Sequence, residues 1–361
     1  MQPDGQEMAQ SDPWLDTQTD HALHAVVPWV MPPQSLALYA RWWQLETWLR
    51  ELIYVELRAR YGISWIDAIA VASNRQIQDA AYTHMAGADN ENPLAYLDYG
   101  QLLEVIEQHW NEQFSYALLE LMSWKGRQNE LKRIRHRIGH MRRPHPDDLG
   151  RLEQMLRDLE RGTFIALASY NERHVPSPKK HHDPVTEGWI KEQHPTARRL
   201  IHHAELQYET TLLVRASRRP WTQWPEDLSR APGVLWHVDF LMRRRTVDVR
   251  QLWNDSALNT VRPLIVHMLA TDPWHVGFAF SAVDDPQAVS DAIGKLFDTV
   301  LMVSRSVSVR NEDEYWAQWH RRSRDIDYRV LIGSGWNIVD DSTIPITNFK
   351  AGGGVESAPS W

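Results

Sequence analysis

"SLALYARWWQLETWLRELIYVELRARYG", residues 35–62, repeats Leu38, Trp42, Leu45, Leu49, Leu52, Ile53 and Leu57 at intervals of three and four. That spacing predicts a long α-helix burying one broad stripe, with Gly62 as its stop signal. The text before it, residues 1–34, is polar and punctuated by proline ("VVPWVMPPQS"), which predicts a loosely held arm.

Helical spacing continues downstream. One helix or two short ones are expected over 65–84, ending at the turn-rich "AGADNENP". Asp98 is placed to cap a helix in which Leu102, Leu103, Ile106 and Trp110 line one side, with Phe114 and Leu118 continuing it. After an expected break at 124–129, "ELKRIRHRIGHM" carries Leu131, Ile134, Ile138 and Met141 on one face. Pro146 then reads as a first helical residue, with Asp147 and Asp148 in the first turn of a helix through Leu152, Met155 and Leu159. Residues 35–170 thus form one helical domain.

Residues 171–194 are polar with three prolines and read as a linker. The period then changes. "LQYETTLLVRAS", "GVLWHVDFLM", "WHVGFAFSAV" and "YRVLIGSGWNIV" read as strands, and 247–270 and 286–304 as helices. The order β-β-α-β-α-β over 195–349 predicts an α+β or ferredoxin-like sandwich, and 350–361, rich in Gly and Ser, a flexible tail. The fold class is therefore α+β, with an all-α bundle first.

Composition narrows the function. The chain has 361 residues, no cysteine and a formal net charge of −8. Disulfides, thiol nucleophiles and thiolate metal sites are excluded. No apolar run approaches the ~20 residues that cross a bilayer, and the N-terminus has no basic-then-apolar leader, so a cytoplasmic location without membrane contact is expected. The 18 tryptophans are spread along the chain and read as packing residues. Charge is not spread: between Lys125 and Arg143 stand eight Lys or Arg against one acid, Glu130.

Inside that island lies "RHRIGH", residues 135–140. An Arg followed by a His after four intervening residues is a loose pattern, and "RRLIHH" (198–203) and "RPLIVH" (262–267) match it too. What separates 135–140 is its setting. His136 follows the Arg directly, the apolar positions Ile134 and Ile138 put the motif on an amphipathic helix, and a proline turn and a further helix follow.

That setting resembles the HEPN ribonuclease domains of abortive-infection proteins over about residues 36–165. "ETWLRELIYVELRARYGISW" is similar to their first helix, "YLDYGQLLEVIEQHW" to their middle helix, and "RIRHRIGHMRRPHPDDL" to their Arg-Asn-x-x-x-His-x-x-Arg-Pro segment. Two departures stand out: His136 replaces the commoner Asn, and one extra residue separates His140 from Pro144. The C-terminal half resembles no family.

The resemblance implies an endoribonuclease, a homodimer whose two motif helices share one cleft, antiviral defence, and products ending in 2′,3′-cyclic phosphate. The residues suit that chemistry. RNA brings its own 2′-OH nucleophile, so no metal or other cofactor is expected. Imidazole's ordinary pKa, about 6.5, fits His140 for proton transfer. Arg135 can hold the phosphate with a permanent charge, and His136 can bind substrate or orient its neighbours. Lys132, Arg133, Arg137, Arg142 and Arg143 would grip the RNA backbone. The C-terminal domain would meet a protein regulator or trigger.

Blander readings remain open. The island can be a solvated helix face, and His136 with His140, at i and i+4, could bind Zn²⁺ with His145, although no carboxylate follows at metalloprotease spacing. "KKHHD" (179–183) and the His202, His203 pair read as surface. The rival function is a non-catalytic RNA-binding or dimerisation module whose C-terminal domain carries the activity.

Overall fold

The computed structural model describes residues 32–69, 73–82, 91–307, 312–323 and 326–333, with positions 18 and 21. The 350–361 tail and all but a few residues of the 1–34 arm lie outside the described residues, as does the final strand's "SGWNIV". The fold is mixed helix and sheet, with an N-terminal helical region and a C-terminal sheet. No helix among the described residues is long and apolar enough to cross a membrane.

The helical region comprises α1 (Pro33–Tyr61), α2 (Ser73–Ala81), α3 (Tyr99–Gln108), α4 (Leu121–Gly139) and α5 (Asp148–Asn171). Asp98 caps α3 as expected, forming a reciprocal capping box with Gln101. Gly62 ends α1 at φ +58°, and a Cβ there would stand 2.0 Å from Asp284 Oδ1. Glycine is required by both the backbone and the space.

The expected single stripe on α1 holds only for its first half, where Leu38, Trp42 and Leu45 are buried while Leu36, Tyr39 and Trp43 are exposed. From Trp48 onward nearly every side chain is buried, including Glu56 and Arg58. The cause is the sheet, which packs on the side that a bundle helix would leave wet. Tyr54 donates its hydroxyl to Val266 O at 2.8 Å, Arg58 reaches Leu264 O at 2.8 Å, and Gly233 N donates to Ala59 O at 2.8 Å. One apolar core accordingly contains the helices together with Leu235, Val266, Leu269 and Ala279 of the sheet.

The second half contains α6 (Pro195–Tyr208), β1 (Thr210–Arg218), β2 (Val234–Met242), β3 (Arg245–Thr246), α7 (Val249–Trp253), β4 (Ile265–Asp272), β5 (His275–Ser281), α8 (Pro286–Val303), β6 (Arg305–Ser306), α9 (Glu312–Ser323) and β7 (Val330–Ile332). The main sheet runs β1-β2-β5-β4-β7, antiparallel except for the parallel β4–β7 pair. The elements β2-α7-β4-β5 form a split β-α-β as a ferredoxin-like sandwich would. In such a sandwich the last strand would join β2; here it joins β4, and β1 occupies the place beside β2. A second apolar core, holding Trp236, Phe240, Phe278, Ile293 and Phe297, lies between the sheet and α6–α8.

Two expectations need correction. Residues 247–270 are not one helix: α7 is five residues long, short 3₁₀ turns follow, and Ile265–Asp272 is a strand. "IVHMLA" is buried throughout because both faces of the sheet are covered, and so shows no alternation to betray a strand. Nor does 171–194 run free as a linker. Val185, Trp189 and Asp183 are buried, and His174 pairs with Ala216 on the outer side of β1.

Candidate functional site

Helix α4 begins unbroken at Leu121, with the Glu120 carboxylate accepting from the Met122 and Ser123 amides, so the expected break at 124–129 is absent. Trp124, Gln128, Leu131 and Ile134 turn inward and are buried. That orientation puts Lys132, Arg133, Arg135, His136 and His140 in solvent. The apolar stripe read from the sequence thus fixes which way the motif faces.

The helix ends in a Schellman arrangement. Arg142 N donates to Arg137 O at 3.0 Å and Met141 N to Ile138 O at 3.1 Å, with Met141 at φ +52°. This turn sets His140 at the helix terminus, its ring edge-on to His136 with centroids 4.3 Å apart. The two imidazoles are the motif side chains that one chain brings together. The Arg135 side chain makes no hydrogen bond or ion pair among the described residues, and neither do the side chains of Lys132, Arg133, Arg142 and Arg143.

Other cations of the island are engaged. Lys125 pairs with Glu107 at 3.4 Å and Arg127 with Asp158 at 3.6 Å. Arg137, expected on the RNA-binding face, instead forms a two-pronged pair with the buried carboxylate of Asp148. That carboxylate also accepts the His145 amide at 2.9 Å, so α5 starts at Asp148, after a turn at Pro146 and Asp147. Burial alone would raise the Asp148 carboxyl, but the hydrogen bonds from Arg137 and the His145 amide and the charges of Arg137 and His145 hold it below the usual carboxylate value.

The competing Arg-His pairs stand elsewhere. His267 of "RPLIVH" is fully buried and bonded to the Tyr170 hydroxyl at 2.9 Å, while Arg262 is turned to Asn259. In "RRLIHH", on α6, Arg198 and His203 are exposed with no acid partner among the described residues. No group of three or more His, Asp or Glu gathers at metal-holding distance among the described residues. A cavity of about 250 Å³ lies away from the motif, bordered by Thr246, Asp248, Arg305, Tyr315, Trp319 and Arg322.

No protein-family model, curated protein or solved structure matches the chain.

Beneath the helices, the sequence reading missed an internal polar layer. Ser217 Oγ and His237 Nε2 are 2.7 Å apart, Asp239 meets Arg173, Arg215 and His275, and Glu56 meets Arg219, Tyr116 and Trp221. The alternation of His237 and Asp239 along β2, opposite Arg215 on β1, was the available signal.

Proposed function

We propose that the chain is a metal-independent endoribonuclease of the HEPN type, a toxin or antiviral-defence effector of the cytoplasm. Its helical half would dimerise, and its α+β half would sense, target or restrain it. One observation carries this reading: Arg135, His136 and His140 are exposed together at the end of α4, beside four cations that no acid among the described residues neutralises. An RNA backbone supplies the missing negative charge.

In the cleavage step, the 2′-oxygen attacks the adjacent phosphorus and the bond to the 5′-oxygen breaks, leaving a 2′,3′-cyclic phosphate. A His140 imidazole removes the 2′ proton or returns a proton to the departing 5′-oxygen, and Arg135 balances the charge of the phosphorane. His136 hydrogen-bonds the phosphate or orients His140. Five residues at about 100° each set Arg135 and His140 about 140° apart around an ideal helix. A second copy across a two-fold axis completes the set and excludes water.

The openness of the site on one chain favours a second reading, in which the helical half binds RNA or dimerises without chemistry and the C-terminal half carries the function. Incubating the protein with RNA in EDTA separates the two. Cleavage that Arg135→Ala and His140→Ala each abolish, with dimer mass and circular dichroism unchanged, supports the nuclease. RNA that is bound but stays intact, with the natural trigger present, supports the binding module.

A further inference from the structure

The sheet face that meets the end of α5 carries a second charged centre, built from other elements than α4. Asp239 on β2 has a side chain only 1% exposed, and three donors converge on its carboxylate. Arg215 Nη2 comes from β1 at 2.8 Å, His275 Nε2 from β5 at 3.1 Å, and Arg173 Nη1 from beyond α5 at 3.2 Å. Gly277 stands opposite Asp239 in the β2–β5 register, where a Cβ would fall 2.5 Å from Oδ1. The bare glycine is what lets the carboxylate lie across β5.

Charge does not balance here. One carboxylate faces two permanent guanidinium charges, and His275 is a third donor. Two guanidiniums offer ten N–H groups. Beyond Asp239, Arg173 reaches Asn171 Oδ1 at 3.5 Å, and the Nε of both arginines is buried with no partner among the described residues. The nearby acid Glu172 is exposed and turned to His174 at 3.5 Å. A surplus cation with idle donors in a partly dry site is costly unless an anion joins it. Solvent reaches the cluster from one side, since the side chains of Arg215, His275 and Arg173 are 31%, 21% and 11% exposed. Leu241, paired with His275, is exposed on the same face.

We propose that Arg173, Arg215 and His275 form a binding site for a phosphate group, with Asp239 as the fixed strut that keeps the three donors convergent. One N–H of each side chain is spent on Asp239; the N–H groups left on the two guanidiniums, beside the His275 ring, suit the oxygens of a tetrahedral phosphate monoester or of inorganic phosphate, whose negative charge cancels the surplus. A planar carboxylate fills the arrangement less well. The site is independent of the ribonuclease reading and survives its failure.

Thermal unfolding of the full chain at constant ionic strength, in inorganic phosphate, acetate or a short single-stranded RNA, tests this. Phosphate should raise the unfolding temperature saturably, equally in the wild type and in an Arg142→Gln, Arg143→Gln variant of the turn after α4. Arg215→Gln and His275→Gln, both at the solvent side, should each weaken the apparent phosphate affinity by about tenfold or more. The proposal is overturned by no response to phosphate, by an equal response in Arg215→Gln and His275→Gln, by acetate acting as strongly, or by Arg215-dependent protection from RNA alone.

Discussion

Arg137 and Asp148 clasp each other across the turn between α4 and α5, Nε to Oδ2 at 2.7 Å and Nη2 to Oδ1, with the Asp148 side chain almost wholly buried. The clasp fixes the residues on either side of His140. Asp148→Ala strands the guanidinium and the His145 amide, and should cost about 2–3 kcal/mol. Urea unfolding reads the loss, and amide exchange should rise first in 140–147.

Met141 caps α4 in the left-handed region at φ +52°, with its side chain 87% exposed. The side chain contributes little there and the backbone is strained. Met141→Gly should stabilise the protein by about 1 kcal/mol, and Met141→Val should destabilise it. A fall in the unfolding midpoint of Met141→Gly would show that the methionine has a contact outside one chain, such as a second copy.

Glu56 and Arg219, both fully buried, join α1 to the sheet, with Glu56 also receiving Tyr116 and Trp221. Glu56→Ala leaves a buried guanidinium unpaired and should cost about 3–5 kcal/mol. In a double-mutant cycle, adding Arg219→Met should recover part of that loss, because the stranded charge is gone. Strict additivity would mean that the pair does not act as a unit.

Burial, helped by the charges of Arg58, Arg219 and Arg329, holds His267 down at about 3 against the ordinary 6.5. His237 is shifted the same way, by burial first and then by the Arg173 charge. Both rings are neutral in the fold, whereas the unfolded chain protonates them below about 6.5. The unfolded state therefore binds more protons; the His267 contribution is lost as pH falls from 6.5 toward 3, and His237 acts in the same direction. Between pH 6.5 and 5, above most carboxylate titration, stability should drop by up to about 1.4 kcal/mol per pH unit per histidine. Urea midpoints across that window read the slope, and His267→Gln should flatten it.

Much of the helical half was legible because its signals are local. Leu131, Ile134 and the 3–4 spacing orient α4, and Asp98 announces α3. What escaped depends on partners distant in sequence. The second half of α1 looks like a bundle helix until the sheet covers its other side, and β4 has no alternation because it is covered twice. Arg137 could not be told from its basic neighbours, since only the fold brings Asp148 beneath it. The spacing of Arg135 and His140 was visible; that His136 meets His140 edge-on, while the Arg135 side chain has no partner among the described residues, was not.

The most direct measurement is the chemistry of the ends left on a defined single-stranded RNA after incubation with the full chain in EDTA. An active HEPN-type site predicts 2′,3′-cyclic phosphate and 5′-hydroxyl ends, lost in both Arg135→Ala and His140→Ala. Intact RNA in every condition, or cleavage that persists in His140→Ala, would contradict it.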